Sequence, residues 1–174
     1  MQRLALAFFI VAVMGSTALV MATGPSLPTS IATHFRLDGR PNAFMSRSEY
    51  MMMFLLVVAL VPVALGAGTA LITRKAPRLL RGRDRKYVLD AGANRDAAIG
   101  CLTTRSLVMG ALLAVFLGGV HFCIVQANAV QPPRLPPPAF HILLATFVVM
   151  FAGTGLLFRF RLCQPPSVNT SQHA

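Results

Sequence analysis

Four stretches without a charged residue make up almost half of this 174-residue chain. They cover residues 4–22, 51–73, 106–127 and 140–158, so each is 19 to 23 residues long. Because an α-helix rises about 1.5 Å per residue, each stretch can cross the roughly 30 Å hydrocarbon core of a bilayer. The pattern predicts an all-α integral membrane protein. It has one membrane domain over residues 1–174, built as a bundle of four transmembrane helices.

The first stretch has an alternative interpretation as a cleaved signal peptide. Arg3 precedes it, and Val20, Met21 and Ala22 are typical of a small-residue cleavage site. The uncharged run of 19 residues is longer than the usual signal core of about 7–15 residues, which favours a retained helix.

The positive charges predict which way the bundle is oriented. Residues 74–105 carry nine Lys and Arg residues, whereas residues 23–50 carry three and the third connection carries only Arg134. Placing both termini and residues 74–105 in the cytoplasm leaves 12 basic residues inside and 4 outside. The positive-inside rule therefore predicts a multi-pass protein of the cytoplasmic (inner) membrane. Residues 74–105 form its basic cytoplasmic loop, and residues 23–50 form an outer cap.

The net charge of +11 follows from the same arrangement. In a soluble protein such a charge would suggest nucleic acid, but here most basic residues flank predicted spans, so no nucleic-acid partner is expected. The expected partners are the lipid bilayer and, at the basic loop, anionic lipid headgroups.

The outer cap has a pattern of its own between residues 31 and 37. Ile31, Thr33, Phe35 and Leu37 alternate with Ala32, His34 and Arg36, which is the period of a short strand. Residues 38–41 then predict a turn. Ser46 and Glu49 have the spacing of a capping box just before an apolar run, so they are expected to begin the second helix.

The same segment resembles a bacterial membrane family, that of domain of unknown function 1648, and in particular its compact four-helix members. The residues that carry the resemblance are Leu27, Pro28, Ile31, His34, Phe35, Gly39, Pro41, Asn42, Ser46 and Arg47. The resemblance implies an outer-loop domain that is shared with SdpI-type immunity proteins. Those proteins protect a cell from its own secreted peptide toxin and take part in signalling.

No residue pattern in the chain points to enzyme chemistry. The predicted spans contain no Asp or Glu, and the sequence has no phosphate-binding glycine loop, nucleophile elbow or metalloprotease motif. We therefore expect neither an enzyme nor a cofactor. Two classes remain: a recognition or sensing module that acts through the outer cap, and a structural accessory subunit of a larger membrane complex. The first would have a membrane or extracytoplasmic protein partner.

Three of the four histidines are predicted to lie on the outer side. His34 is in the cap, His121 is near the outer end of the third span, and His141 opens the fourth. His121 and Asn128 are seven residues apart and therefore share a helix face. One hypothesis is a polar site formed by His34, His121 and Asn128. The alternative is that His121 bonds a backbone carbonyl while His34 and His141 face water. No clustered ligand spacing supports a metal ion.

Two further features concern how the helices pack. Gly110, Ala114 and Gly118 form a small-residue stripe on the third span, which predicts either close packing within the bundle or a dimer contact. Cys101 and Cys163 are both predicted to be cytoplasmic, so no disulfide is expected.

The predicted orientation is tested with reporters fused at two positions. A reporter after Lys86 should behave as cytoplasmic and one at Arg134 as external, because the positive charges cluster around the former. Alkaline phosphatase and fluorescent-protein fusions report the two sides independently. The opposite result at both positions would show that the protein has the reverse orientation in the membrane.

Overall fold

The computed structural model describes residues 1–36, 38–135 and 137–163, with side chains omitted for 137, 161 and 162. Most of the described chain is helical. The helices are α1 (Gln2–Thr23), α2 (Arg47–Val63), α3 (Thr69–Lys75), α4 (Gly82–Leu89), α5 (Arg95–Asn128) and α6 (Pro137–Leu157). The strands are β1 (Ser30–Phe35) and β2 (Pro41–Ser46). Short 3₁₀ turns lie at Gly24–Ser26, Pro77–Leu79 and Gly92–Asn94, and π-helical turns at Ala64–Gly68 and Phe158–Leu162.

Within the described residues, four helical segments are long and apolar enough to cross a membrane, as predicted. They are Gln2–Ser26, Arg47–Lys75, Gly92–Asn128 and Pro138–Phe160. The third begins well before the predicted start at residue 106, because the helix continues toward its N-terminus through polar sequence. The connection before it is correspondingly shorter than the predicted loop 74–105, and it contains α4. These four segments indicate a multi-pass membrane protein.

The core of the bundle lies where α1, α3 and α5 meet. Its apolar centre consists of five alanines and two larger side chains: Ala5, Phe9, Ala12, Ala70, Leu107, Ala111 and Ala114. The small-residue stripe of α5 belongs to this interface. A Cβ added at Gly110 would lie 2.8 Å from the Gly66 Cα, and Ser16 donates a 2.8 Å hydrogen bond to the Ala114 carbonyl. The stripe therefore serves packing within the chain.

Pro62 explains how the backbone of the second span comes so close to α5. Proline has no N–H to complete the helical ladder. Two residues later the chain forms the π-helical turn Ala64–Gly68, and Gly66 in this turn is buried against Gly110. The glycines allow the two backbones to approach because neither has a side chain.

The helix α6 lies at the side of this core and packs on α5. Phe147 stacks on Phe116 of α5 with ring centroids 4.3 Å apart, and Leu143 covers Gly119. Most of the remaining apolar surface of α6 is exposed, including Ile142 and Val149. In a bilayer that surface faces lipid or another protein.

A β-hairpin connects the first two spans, so the fold is not purely helical. The strands β1 and β2 are antiparallel, and Gly39 in the turn between them has a φ of 80°, which glycine adopts without strain. The strand β2 was not predicted from the sequence. The predicted alternation fails at one residue, because Ile31 and Ala32 are both fully buried. The pairing of β1 with β2 is also irregular between Ala32 and His34. Leu37 lies outside the described residues.

The predicted capping box is confirmed at the start of α2. The Glu49 amide donates to the Ser46 hydroxyl at 3.3 Å, and the Ser46 amide donates to the Glu49 carboxylate at 3.2 Å. Arg47 then reaches back across the cap. Its guanidinium donates to the carbonyls of Pro25 and Leu27, each at 3.0 Å. These bonds tie the end of α1 to the beginning of α2.

The expectation of no disulfide is wrong, because Cys101 and Cys163 are bonded. The expectation rested on a reducing compartment. It did not consider that α5 and α6 are antiparallel neighbours, which brings the start of α5 next to the end of α6, with the two Cα atoms 5.8 Å apart. Disulfides persist in oxidising compartments, whereas the positive charges favour the cytoplasm for this end of the bundle.

Close packing at Gly110 gives a prediction with a matched control. Alanine at Gly110 puts a Cβ within 2.9 Å of the Pro62 carbonyl oxygen and within 2.8 Å of the Gly66 Cα, both backbone atoms. We expect Gly110→Ala to cost about 1–3 kcal/mol through overpacking. Gly15→Ala meets nothing within 4 Å and should be neutral or slightly stabilising. Thermal midpoints in detergent compare the two, and equal midpoints would contradict the close approach.

Candidate functional site

The most deeply buried polar group in the described part of the bundle is His121 on α5, with no exposed surface. Its Nδ1 lies 2.7 Å from the Tyr50 hydroxyl oxygen at the start of α2. Its Nε2 lies 2.7 Å from the Thr23 hydroxyl oxygen at the end of α1. One side chain of α5 therefore joins the end of α1 and the start of α2.

The hydrogen bonds of Thr23 fix the tautomer of this histidine. The Thr23 hydroxyl donates its proton to the Leu19 carbonyl at 2.7 Å, so toward His121 it accepts. The proton of the neutral imidazole is therefore on Nε2, and Nδ1 accepts from the Tyr50 hydroxyl. Both ring nitrogens have a hydrogen-bond partner. The Tyr50 ring also stacks on the imidazole, with the ring centroids 5.8 Å apart. This arrangement is suited to holding helices together and leaves no ring nitrogen for a ligand.

Asn128 at the end of α5 holds the hairpin. Its Oδ1 accepts from the Ala32 amide at 2.8 Å, and its Nδ2 donates to the Ala32 carbonyl at 3.0 Å. Nδ2 also donates to the Ile124 carbonyl at 2.9 Å. The side-chain amide thus pairs with β1 as a neighbouring strand would, which explains why Ala32 is buried on the side predicted to face outward.

His34 occupies a different position, on the exposed side of β1. It borders a cavity of about 320 Å³ between the hairpin and the helices α5 and α6. The polar side chains of this cavity are Thr33, His34, Arg36 and His141, and its apolar side chains include Phe35, Val120, Ile124, Leu135 and Phe140. We call it the hairpin cavity. A charged and polar rim over an apolar floor fits a ligand that carries an apolar group beside a polar or anionic one.

The structure places all three predicted site residues at the hairpin end but does not join them. Among the described residues, no hydrogen bond connects His34 with His121 or Asn128, and the hydrogen bond that His34 makes is to Thr33 at 3.1 Å. The histidine that shares a cavity with His34 is His141. Within the part of the chain that the structure describes, no cluster of three His, Cys, Asp or Glu side chains could hold a metal ion.

Sequence reasoning missed the two partners of His121. Tyr50 and Thr23 are unremarkable in the sequence, because each stands where an apolar run meets polar residues. The signal was the histidine itself: a polar group inside a span requires partners at the same depth. Thr23 and Tyr50 lie at the ends of the first two spans that meet the outer end of the third.

Comparison with known proteins identifies one part of the chain. Residues 4–60 match the sequence profile of the family described as Domain of unknown function (DUF1648). The match covers about a third of the chain, namely α1, the hairpin and most of α2. It includes His34 and Tyr50 and ends before His121, Asn128 and His141. No curated protein and no solved structure matches the chain.

The role of Asn128 is tested by removing its side-chain amide. We expect Asn128→Ala to cost about 1–3 kcal/mol, because the Ala32 amide and carbonyl would be left unpaired in a buried position. Hydrogen exchange at the Ala32 amide should accelerate, and the thermal midpoint in detergent should fall. The control is Asn94→Ala, since Asn94 precedes α5 and caps no amide with its side chain. Unchanged protection of the Ala32 amide would contradict its pairing with Asn128.

Proposed function

We propose that this chain, whose residues 4–60 match the profile of the domain of unknown function 1648 family, is a recognition or sensing module of a membrane. It would bind an amphipathic segment of a peptide or partner protein at the hairpin cavity. The observation that carries the proposal is the composition of that cavity. Arg36 and two histidines line its rim, and the side chains of α5 and α6 form an apolar floor. A ligand segment that carries an apolar side chain next to a carboxylate would contact both the apolar floor and the polar rim of the cavity.

The position of the cavity suggests how binding would be sensed. Ile124 lines the hairpin cavity and also belongs to the buried core that contains Tyr50 and Val58 of the second span. Val120, which also lines the cavity, precedes His121 directly. A ligand that displaces Val120 or Ile124 would therefore move α5, and His121 of α5 connects α1 with α2. We propose that the response to a ligand is a shift of α5 relative to these two helices.

The wider setting belongs to the same proposal. The hairpin end would face away from the cytoplasm and both termini would face into it, in the cytoplasmic membrane, as the positive charges favour. The segment between α3 and α5 would contact anionic headgroups. The resemblance to SdpI-type proteins would make the ligand a secreted peptide and the role immunity or signalling. We propose no enzymatic activity.

A second candidate function is that of a structural accessory subunit. The observation that favours it is the exposed face of α6. A Cβ added at Gly153 would meet no atom within 4 Å, so another helix could approach there closely. In this case the partner would be held by α6 and the hairpin cavity would have no part in binding.

The two functions are separated by photo-crosslinking from two positions of the same hairpin. A photoreactive residue at position 34 should form an adduct in the native membrane, and Arg36→Ala should reduce its yield several-fold by removing a rim charge. Position 40 is the matched control, because Arg40 is exposed in the turn, pairs with Asp38 and does not line the cavity. Mass spectrometry identifies the adducts.

Equal adducts at positions 34 and 40 would contradict recognition at the cavity. A partner that copurifies undiminished with a chain whose residues 30–46 are replaced by a flexible linker would support the accessory role instead.

A further inference from the structure

A second and larger cavity lies at the opposite end of the bundle, where the sequence predicted only a basic loop. Its volume is about 710 Å³, and it is bounded by α4, by the beginning of α5 and by the end of α6. The disulfide between Cys101 and Cys163 ties α5 to the end of α6 beside it, and Cys163 itself lines the cavity. We call it the basal cavity.

The rim of the basal cavity is positively charged. Arg83 and Lys86 reach it from α4, and Arg159 reaches it from the end of α6. Arg105 also lines it, but its guanidinium is paired with the Asp84 carboxylate, so this pair adds no net charge. The remaining acidic group of the lining is Asp90. Three cations therefore face one carboxylate, and the surplus favours an anion.

The floor of the basal cavity is apolar and belongs to the membrane-spanning helices. Ala98 and Leu102 of α5 form one side of this floor, and Gly155 and Phe160 form the other side. A Cβ added at Gly155 would meet nothing within 4 Å, so the space above this glycine is open. Arg83 and Lys86 precede the third span and Arg159 lies at the end of the fourth, where lipid headgroups would be. Gly155 lies one helical turn further into the fourth span, where an acyl chain would begin.

We propose that the basal cavity is a binding site for one anionic phospholipid. The phosphate would lie among Arg83, Lys86 and Arg159, and the first part of an acyl chain would lie against Leu102 and over Gly155. The Tyr87 hydroxyl is a further donor in the lining, and burial raises the pKa of this phenol, so it stays protonated at neutral pH. This site is distinct from diffuse attraction of the basic segment to a membrane surface. Lipid binding at this site does not require that the hairpin cavity has the function proposed for it.

Lipid binding is measured on the purified full chain in a neutral detergent by native mass spectrometry. The probes are phosphatidylglycerol and phosphatidylcholine with identical acyl chains. We expect phosphatidylglycerol to bind about tenfold more tightly, and Arg83→Ala and Arg159→Ala each to weaken it about tenfold, the loss typical of one charge-assisted contact. Arg85→Ala is the matched control, because it removes the same charge from α4 at a residue that does not line the cavity. It should change the affinity less than twofold.

A second pair of variants tests the apolar floor without changing any charge. Gly155→Leu should fill the open space and weaken phosphatidylglycerol about tenfold, whereas Gly153→Leu, which has equally open surroundings outside the cavity, should leave it unchanged. Thermal midpoints without lipid show that all variants are folded. Equal losses for Arg85→Ala and Arg83→Ala, or no effect of Gly155→Leu, would overturn the proposal. Displacement of the lipid by equimolar inorganic phosphate would also overturn it, since the site would then bind a free anion.

Discussion

A histidine buried among membrane-spanning helices must have both ring nitrogens paired, since an unsatisfied polar group in an apolar interior costs several kcal/mol. His121 obtains one partner from α1 and the other from α2, so the requirement fixes the depth of all three helices relative to one another. The hairpin depends on the same register. Its first strand follows the turn after Thr23, its second strand ends four residues before Tyr50, and Asn128 holds β1 two turns beyond His121. A shift of α5 along its axis would break all of these contacts together.

At the opposite end of the bundle, the disulfide between Cys101 and Cys163 and the many positive charges indicate different compartments. The disulfide is typical of an oxidising compartment, and the charges are typical of the cytoplasm. A disulfide stabilises a fold by about 2–4 kcal/mol and forms after the helices have met. The distribution of Lys and Arg acts earlier, during insertion, and residues 74–105 carry nine of them. Because orientation is set before Cys101 and Cys163 can meet, we give the charges more weight in proposing that this end is cytoplasmic. In a reducing cytoplasm the bond between these cysteines would be reduced much of the time, and the shared packing of α5 and α6 would hold this end together.

The features that could be predicted from the sequence are those determined by residues that lie close together in the chain. The four spans follow from local hydropathy, and the capping box of Ser46 and Glu49 follows from a spacing of three. The strand β2 was missed because its pairing with β1 is decided by a turn at Gly39, and because Pro41 at its start suggested the turn itself. The site was predicted in part: three histidines were expected on one side, and His34 and His141 do share a cavity. The partners of His121 and the pairing of Asn128 with Ala32 join residues about seventy to one hundred positions apart, and no local pattern contains them.

The helix α5 lies in the walls of both cavities, and this has a thermodynamic consequence for the two binding proposals. It is 34 residues long, which corresponds to roughly 50 Å. Val120 and Ile124 line the hairpin cavity, whereas Ala98 and Leu102 line the basal cavity. If a ligand at the hairpin shifts α5, it changes the walls of the basal cavity, and the affinity for a lipid there changes by some factor. Linkage then requires the lipid to change the affinity of the hairpin ligand by the same factor. A chain that senses a ligand on one side would thus respond to the charge of the membrane on the other, and phosphatidylglycerol would alter peptide binding only in chains that retain Arg83 and Gly155.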